Sequence, residues 1–165
     1  MTVSSTCRFL FIFLMIPAFS QAQYTPDELH NIGTAASAWR IQNDIQTLVD
    51  FGTRHTLSDT LSSTRGIGAA RRWIKAEFEK ISEECGGCLE VFYVKDVVKG
   101  DPDSRIKEDT WVVNVIAIQQ GYADPNRFVM MSGDIDSRVS DPLDGISDSP
   151  GANDNASGMA GAIEA

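Results

Sequence analysis

Hydrophobic positions recur with a helical period in three stretches of the first half of the chain. The shortest begins at Thr25, where Pro26 and Glu28 complete a capping box, and it ends at Gly33. A second helix is predicted over residues 37–51 and a third over residues 66–82. The third carries an apolar stripe of Ile67, Ala70, Ile74, Phe78 and Ile81. Its charged positions, Arg71, Arg72, Lys75 and Glu79, are expected to face water.

After residue 88 the pattern changes to runs rich in β-branched and aromatic residues. Strands are predicted over residues 89–98, 110–119 and 127–131, and the polar residues 100–107 read as a turn. A further helix is predicted from about residue 156, where small apolar residues begin. Strands that follow helices and precede another helix predict an α/β fold rather than an all-β fold.

The loop after the third predicted strand is crowded with carboxylates. Asp134 and Asp136 come at the carboxyl end of that strand, which is where ligands bind in open α/β sheets. Asp154 follows a turn at Pro150 and Gly151 and lies at the start of the last predicted helix, whose dipole favours negative charge. Carboxylates gathered in this way repel one another unless a cation or a proton offsets their charge. The loop is therefore predicted to bind a metal cation.

Three further acidic residues of this loop have a simpler interpretation. Asp141, Asp144 and Asp148 are predicted to be solvated turn residues that cap backbone N–H groups. A calcium-binding EF-hand is excluded, because no starting point in the loop gives the alternating Asp/Asn pattern, the central Gly and the terminal Glu. The predicted cation ligands are therefore Asp134 and Asp154, each at a junction between an apolar element and a loop.

Two motifs in this loop, GDIDS at residues 133–137 and GANDNASG at residues 151–158, resemble those of the M28 zinc metallopeptidases, which are mostly aminopeptidases. The upstream stretches FGTRHTLSD and GIGAARRWIKAEF are also similar to this family. The resemblance implies a three-layer α/β/α sandwich with a mixed sheet, two zinc ions and a peptide substrate. It implies that Asp154 bridges the zinc ions, that Asp134 is a metal ligand, and that Asp136 is the catalytic-site acid beside that ligand. It also implies a cis peptide bond between Asp154 and Asn155.

The chain departs from the family pattern in two ways. Asp134 stands where the family usually has His, and this harder ligand favours tolerance for manganese or cobalt. The family's glutamate base and its remaining ligands follow the bridging Asp, whereas here only Glu164 follows as a carboxylate, about 15 Å away along a helix. Residues 23–165 are therefore predicted to be the N-terminal part of a single M28-like domain, truncated at the C-terminus and inactive alone.

The first 22 residues have the organisation of a secretory signal peptide. Arg8 precedes an apolar run over residues 9–19, and small residues lead to a cleavage site near Ala22. The apolar run is shorter than the roughly 20 residues that a membrane span needs. The sequence thus predicts a secreted or periplasmic protein with no stable membrane association after cleavage.

The net charge and the cysteines exclude or disfavour some classes of function. The formal net charge of −9 argues against a nucleic-acid partner. Cys85 and Cys88 enclose two glycines after a helix, so a small structural disulfide is favoured over a redox pair or half of a zinc ribbon. His55 is predicted to be a hydrogen-bonding structural residue rather than a metal ligand.

These observations predict a secreted metallopeptidase that hydrolyses peptide bonds, as an aminopeptidase, with a water activated by two zinc ions. The alternative is a non-catalytic secreted protein that binds cations through the same acidic loop. A thiol redox protein using Cys85 and Cys88 is a third and weaker interpretation.

Overall fold

A computed structural model describes residues 25–165, which divide into two compact units at Ala35. The predicted signal peptide and its cleavage near Ala22 lie outside the described residues. In the first unit, helix α1 spans Pro26–Thr34. The Thr25 hydroxyl accepts from the Glu28 N–H at 3.3 Å, and the Glu28 carboxylate accepts from the Thr25 N–H at 2.6 Å. The predicted capping box is confirmed.

The second unit contains the other regular elements. Helices α2 (Ala38–Asp50) and α3 (Gly66–Glu84) are followed by strands β1 (Leu89–Val98) and β2 (Thr110–Gln119). A turn at Ala152–Ala156 leads into helix α4 (Ser157–Glu164). All four predicted helices and the first two predicted strands are confirmed. None of the helices in the described part of the chain combines the length and the apolar character that a membrane span requires.

Strands β1 and β2 form an antiparallel pair that packs against α3. Their register runs from Leu89 opposite Gln119 to Val98 opposite Thr110. Helix and antiparallel sheet together confirm the α/β class at the level of a mixed α/β unit. The three-layer α/β/α sandwich and the mixed sheet stay predictions, because residues 25–165 contain a sheet of these two strands alone.

The predicted third strand over residues 127–131 is wrong for this structure. A strand exists only when its backbone groups pair with a neighbour, and within residues 25–165 none pairs with this segment. Phe128, Val129 and Met130 are 80%, 90% and 88% exposed. The apolar composition indicated a buried strand, but within the described residues no neighbouring strand covers or pairs with this segment.

The hydrophobic core lies between α2, α3 and α4. Its buried side chains come from all three helices and from the turn before α4: Leu48, Phe51, Ala69, Ala70, Ile74, Ala156, Met159 and Ile163. The Phe51 and Trp73 rings pack 6.4 Å apart. Arg71 was expected to face water, yet it is only 8% exposed, so that prediction is wrong. The loop over residues 56–60 and the β1–β2 hairpin both reach this side of α3 and cover it.

Two glycines explain how closely that loop approaches the start of α3. Gly66 has φ +85°, and a Cβ atom added there would lie 2.4 Å from the Asp59 carbonyl oxygen. A Cβ atom added to Gly68 would lie 2.1 Å from the Thr60 carbonyl oxygen. The loop in return caps the helix, because the Ser58 hydroxyl accepts from the Ile67 N–H at 2.9 Å.

Candidate metal centre

The two segments that carry Asp134 and Asp154 lie side by side. A Cβ atom added to Gly133 would lie 2.5 Å from both the Gly158 carbonyl carbon and the Met159 nitrogen. Four residues later, the Ser137 hydroxyl donates to the Ser149 carbonyl at 2.6 Å. Residues 133–137 therefore run along residues 149–158. This contact brings the backbone around Asp134 against the turn that holds Asp154.

The Arg54 side chain forms hydrogen bonds with both segments. Its side chain is 1% exposed, and its Nε donates to the Ile135 carbonyl at 2.9 Å. The two terminal nitrogens donate to the carbonyls of Pro150 at 2.8 Å and Gly151 at 3.0 Å, and one also reaches Leu48 at 2.7 Å. A planar guanidinium with five N–H donors is well suited to join several carbonyls at once. Arg54 thus links α2 to both acidic segments.

The positive charge of Arg54 is partly balanced by the carboxylate of Asp136. Burial lowers the pKa of the Arg54 guanidinium, and the nearby carboxylate of Asp136 raises it. The guanidinium remains protonated, because arginine side chains do not lose their proton in proteins. Asp136 lies between the two predicted ligand positions in the chain and is exposed to solvent. Its carboxylate therefore stabilises the buried cation that holds the two segments.

The turn before α4 contains the cis peptide bond that the family resemblance implied. The Asp154–Asn155 peptide is cis, as predicted. Gly151 has φ +49°, and a Cβ atom there would lie 2.6 Å from both the Asp154 carbonyl oxygen and the Ser137 Cβ. The Asn155 side-chain oxygen accepts from the Gly158 N–H at 2.8 Å. The turn thus directs Asn155 inward to cap α4 and leaves Asp154 exposed.

The acidic residues of the loop divide into two groups by their contacts. Asp141 accepts from the Leu143 N–H at 2.9 Å, and Asp144 accepts from the N–H groups of Ile146 and Ser147 at 2.9 Å each. These turn roles confirm the prediction, while Asp148 instead pairs with Arg65 at 2.7 Å.

Asp134 and Asp154 behave differently from those three residues. Both are exposed, and within residues 25–165 neither carboxylate has a hydrogen bond or an ion pair. Carboxylate oxygens of this kind are acceptable zinc ligands. Their exposure and lack of protein partners leave their lone pairs available to a cation.

The two carboxylates are of a type that binds zinc, but they are fewer than a zinc site needs. Zinc sites in proteins use at least three side-chain ligands, and within residues 25–165 no group of three or more His, Cys, Asp or Glu side chains is placed to hold one ion. Glu164 does not join the site. It accepts from the Arg40 Nε at 2.7 Å and from the Ser37 N–H at 2.5 Å, and so links α4 to the start of α2.

The other candidate residues have structural roles. The His55 Nδ1 accepts from the Leu57 N–H at 3.0 Å, and its Nε2 lies 3.1 Å from the Pro142 carbonyl, to which it donates. Both ring nitrogens are thereby used, which confirms the predicted structural role of this buried histidine. Cys85 and Cys88 are joined by a disulfide bond at the end of α3. The sulfur atoms therefore carry no thiol for redox chemistry or metal binding in this state.

Comparison with known proteins places these motifs in a family. The model described as "Peptidase family M28" matches residues 114–165, which include Asp134, Asp136 and Asp154. A protein of Pyrenophora teres f. teres named "Probable zinc metalloprotease" is 48% identical over 141 residues, covering 84% of this chain and 28% of the relative. Residues 114–165 thus match peptidase family M28, and most of the chain is similar to a protein named as a probable zinc metalloprotease.

Two further relatives carry the same name. One, from Pyricularia oryzae, is 46% identical over 128 residues, which cover 76% of this chain and 24% of the relative. The other, from Phaeosphaeria nodorum, is 37% identical over 133 residues, which cover 80% of this chain and 27% of the relative. The chain spans about a quarter to a third of the length of the curated relatives it matches. No solved structure matches it.

Proposed function

We propose that this chain supplies two zinc ligands, Asp134 and Asp154, to an M28 peptidase that hydrolyses peptide bonds as an aminopeptidase. One observation carries the proposal: both carboxylates are exposed and unpaired within residues 25–165, on segments that Arg54 and the Gly133 contact hold together. The names of the relatives support zinc as the metal.

Each residue of the site has a distinct task in this proposal. Asp154, in the turn before α4, would hold both zinc ions, and Asp134, on the neighbouring segment, would hold one of them. Bound zinc supplies a Lewis acid that activates water and polarises the scissile carbonyl. Asp136 is the catalytic-site acid beside Asp134 and balances the charge of Arg54. Because Asp134 is a carboxylate where the family usually has a neutral histidine, we expect manganese or cobalt to substitute for zinc readily.

The remaining ligands and the glutamate base are proposed to come from sequence that the longer relatives have in addition. The longer protein would then form the mixed sheet of a three-layer α/β/α sandwich. Without those groups the two carboxylates form a partial site, which binds zinc weakly and turns over no substrate. We further propose that residues 1–22 direct the protein to secretion and that its substrates are peptides.

Zinc binding to the chain tests the proposal directly. Calorimetric titrations should compare the parent with Asp134→Ala, Asp154→Ala and the double variant, each shown to be folded by circular dichroism. Each single change removes one of two ligands, so we expect at least about tenfold weaker binding. Asp148→Ala is the matched control, because it removes a carboxylate of the same loop that pairs with Arg65 instead.

Two outcomes would contradict the proposal. Equal zinc affinity in the parent and the double variant would show that these carboxylates are not the ligands. Metal-dependent release of p-nitroaniline from leucine p-nitroanilide by the purified chain would show that the two ligands suffice for catalysis. A parent that binds calcium as tightly as zinc would instead support the non-catalytic cation-binding alternative.

A further inference from the structure

A cavity of about 950 Å³ lies between the start of α3, the loop over residues 56–60 and the β1–β2 hairpin. Cationic side chains outnumber acidic ones in its lining, although the chain as a whole carries a net charge of −9. The cationic residues are Arg71, Arg72, Lys95, Arg105 and Lys107, against Glu108 and Asp109. One of the two acids is already neutralised, because Asp109 pairs with Lys99 at 2.6 Å. The cavity therefore has an excess of positive charge.

Arg71 is the unusual member of this set. Only 8% of its surface is exposed to solvent, and its Nε has no hydrogen-bond partner within the described residues. Asp136 acts on it only through its electric field, and the Tyr93 hydroxyl binds the Arg71 carbonyl rather than its guanidinium. Arg54 shows the contrast, because it is also buried, at 1% exposure, and donates to four carbonyls. A buried charged donor without an acceptor is unfavourable and indicates a missing acceptor.

The other cations and the aromatic side chains complete the surroundings of Arg71. Arg72 donates to the Thr60 carbonyl at 2.9 Å, which fixes it at the edge of the loop. The Lys95 ammonium lies 5.5 Å from the centre of the Trp111 ring, so that charge and an apolar face adjoin. Leu57, Tyr93 and Val113 add further apolar surface to the lining. The volume is in the range of about 300–1,000 Å³ that is typical of small-molecule sites.

We propose that this cavity binds a small organic anion, a carboxylate or a phosphate ester with an apolar body, whose oxygens pair with the Arg71 guanidinium. The anionic group supplies a negative partner for this buried cation and is attracted by the surrounding cations. The apolar body packs against Trp111 and its neighbours. The site is distinct from the two metal-binding carboxylates, because neither Asp134 nor Asp154 lines the cavity.

Binding should be measured by calorimetry and by the ¹H–¹⁵N signal of the Arg71 Nε–H in the full chain. Phenyl phosphate and phenylacetate are the two anionic probes, and they distinguish a phosphate ester from a carboxylate. Inorganic phosphate tests the charge alone, and 2-phenylethanol tests the apolar body alone. We expect at least one anionic probe to bind and to shift the Arg71 signal, with weaker binding of inorganic phosphate and none of 2-phenylethanol.

Variants locate the site. Arg71→Met keeps the length of the side chain and removes the donor, so it should weaken binding by about tenfold or more. Lys80→Gln removes one positive charge from an exposed position of the same helix, outside the cavity, and should bind as the parent does. If Arg71→Met fails to fold, Lys95→Gln and Lys107→Gln on the hairpin should each weaken binding severalfold. Failure of every anionic probe to bind the folded parent, or equal binding by the cavity variants and Lys80→Gln, would overturn the proposal.

Discussion

Replacing Arg54 by Met should both destabilise the fold and loosen the candidate metal centre. The change removes four hydrogen bonds from a buried guanidinium to the carbonyls of Leu48, Ile135, Pro150 and Gly151. Hydrogen bonds from charged groups contribute about 1.5–3 kcal/mol each, so the gross loss is about 6–12 kcal/mol. Removing the charge also removes its desolvation cost, which is on the order of several kcal/mol.

The net loss expected for Arg54→Met is therefore about 3–5 kcal/mol in the free energy of unfolding. Arg54→Lys retains the charge but offers a single ammonium in place of a planar fork, so it can serve only some of the four carbonyls. We expect roughly half the loss of the Met variant for this substitution. Because the carbonyls belong to both acidic segments, zinc binding by the folded Lys variant should also weaken.

Urea unfolding followed by circular dichroism measures these values, and zinc calorimetry follows on the folded variants. Arg65→Met is the matched control, since its partly exposed side chain pairs with the exposed Asp148 and should contribute less than about 1 kcal/mol. A free energy of unfolding for Arg54→Met within about 1 kcal/mol of the parent would refute the reasoning, because four buried or partly buried carbonyls would each lose a charged donor.

Three other predictions follow from single features of the structure. Gly133→Ala should lower the free energy of unfolding in urea by about 1–3 kcal/mol and weaken zinc binding, because the added Cβ would clash with the α4 backbone. Gly161→Ala is the control: its Cβ would have no atom within 4 Å, so it should raise the free energy of unfolding by about 0.5–1 kcal/mol. Replacing Cys85 and Cys88 together by Ser opens a small loop and should cost about 2 kcal/mol, measured in the same way. Hydrogen bonds from Ser147 and Ile146 lower the pKa of Asp144 from 3.8 to about 2. Its stabilising contribution is therefore complete above pH 3.8 and lost as the pH falls towards 2, which an NMR titration of its carboxyl carbon would follow.

The elements that depend on local pattern were predictable from the sequence. Thr25 and Ser37 mark helix starts through their own side chains, and the period of apolar residues in α3 gives its extent. The roles of Asp141 and Asp144 also followed from local turn chemistry, since each carboxylate binds a backbone N–H group two or three residues ahead.

Features that depend on distant partners were not predictable in the same way. Arg71 occupies a polar position of α3 by periodicity, but a loop and a hairpin from elsewhere in the chain cover that face. Arg54 lies in a stretch that resembles the family, yet no spacing rule gives an arginine four carbonyl partners. The sequence feature that could have indicated its role is its position just after the glycine that ends a predicted helix. The polar residues near it are buried in the structure: Thr53, His55 and Ser58.

The contacts of Arg54 also have a consequence for the order of events during synthesis. Its acceptors at Ile135, Pro150 and Gly151 lie 81 to 97 residues later in the chain. At roughly 5–20 residues per second, a ribosome needs about 5–20 s to add that stretch. Until then, the Arg54 guanidinium remains in water, and α2 has no partner through which to order the acidic segments. We therefore expect the candidate metal centre to assemble late, after the helices and the hairpin of the nascent chain have formed.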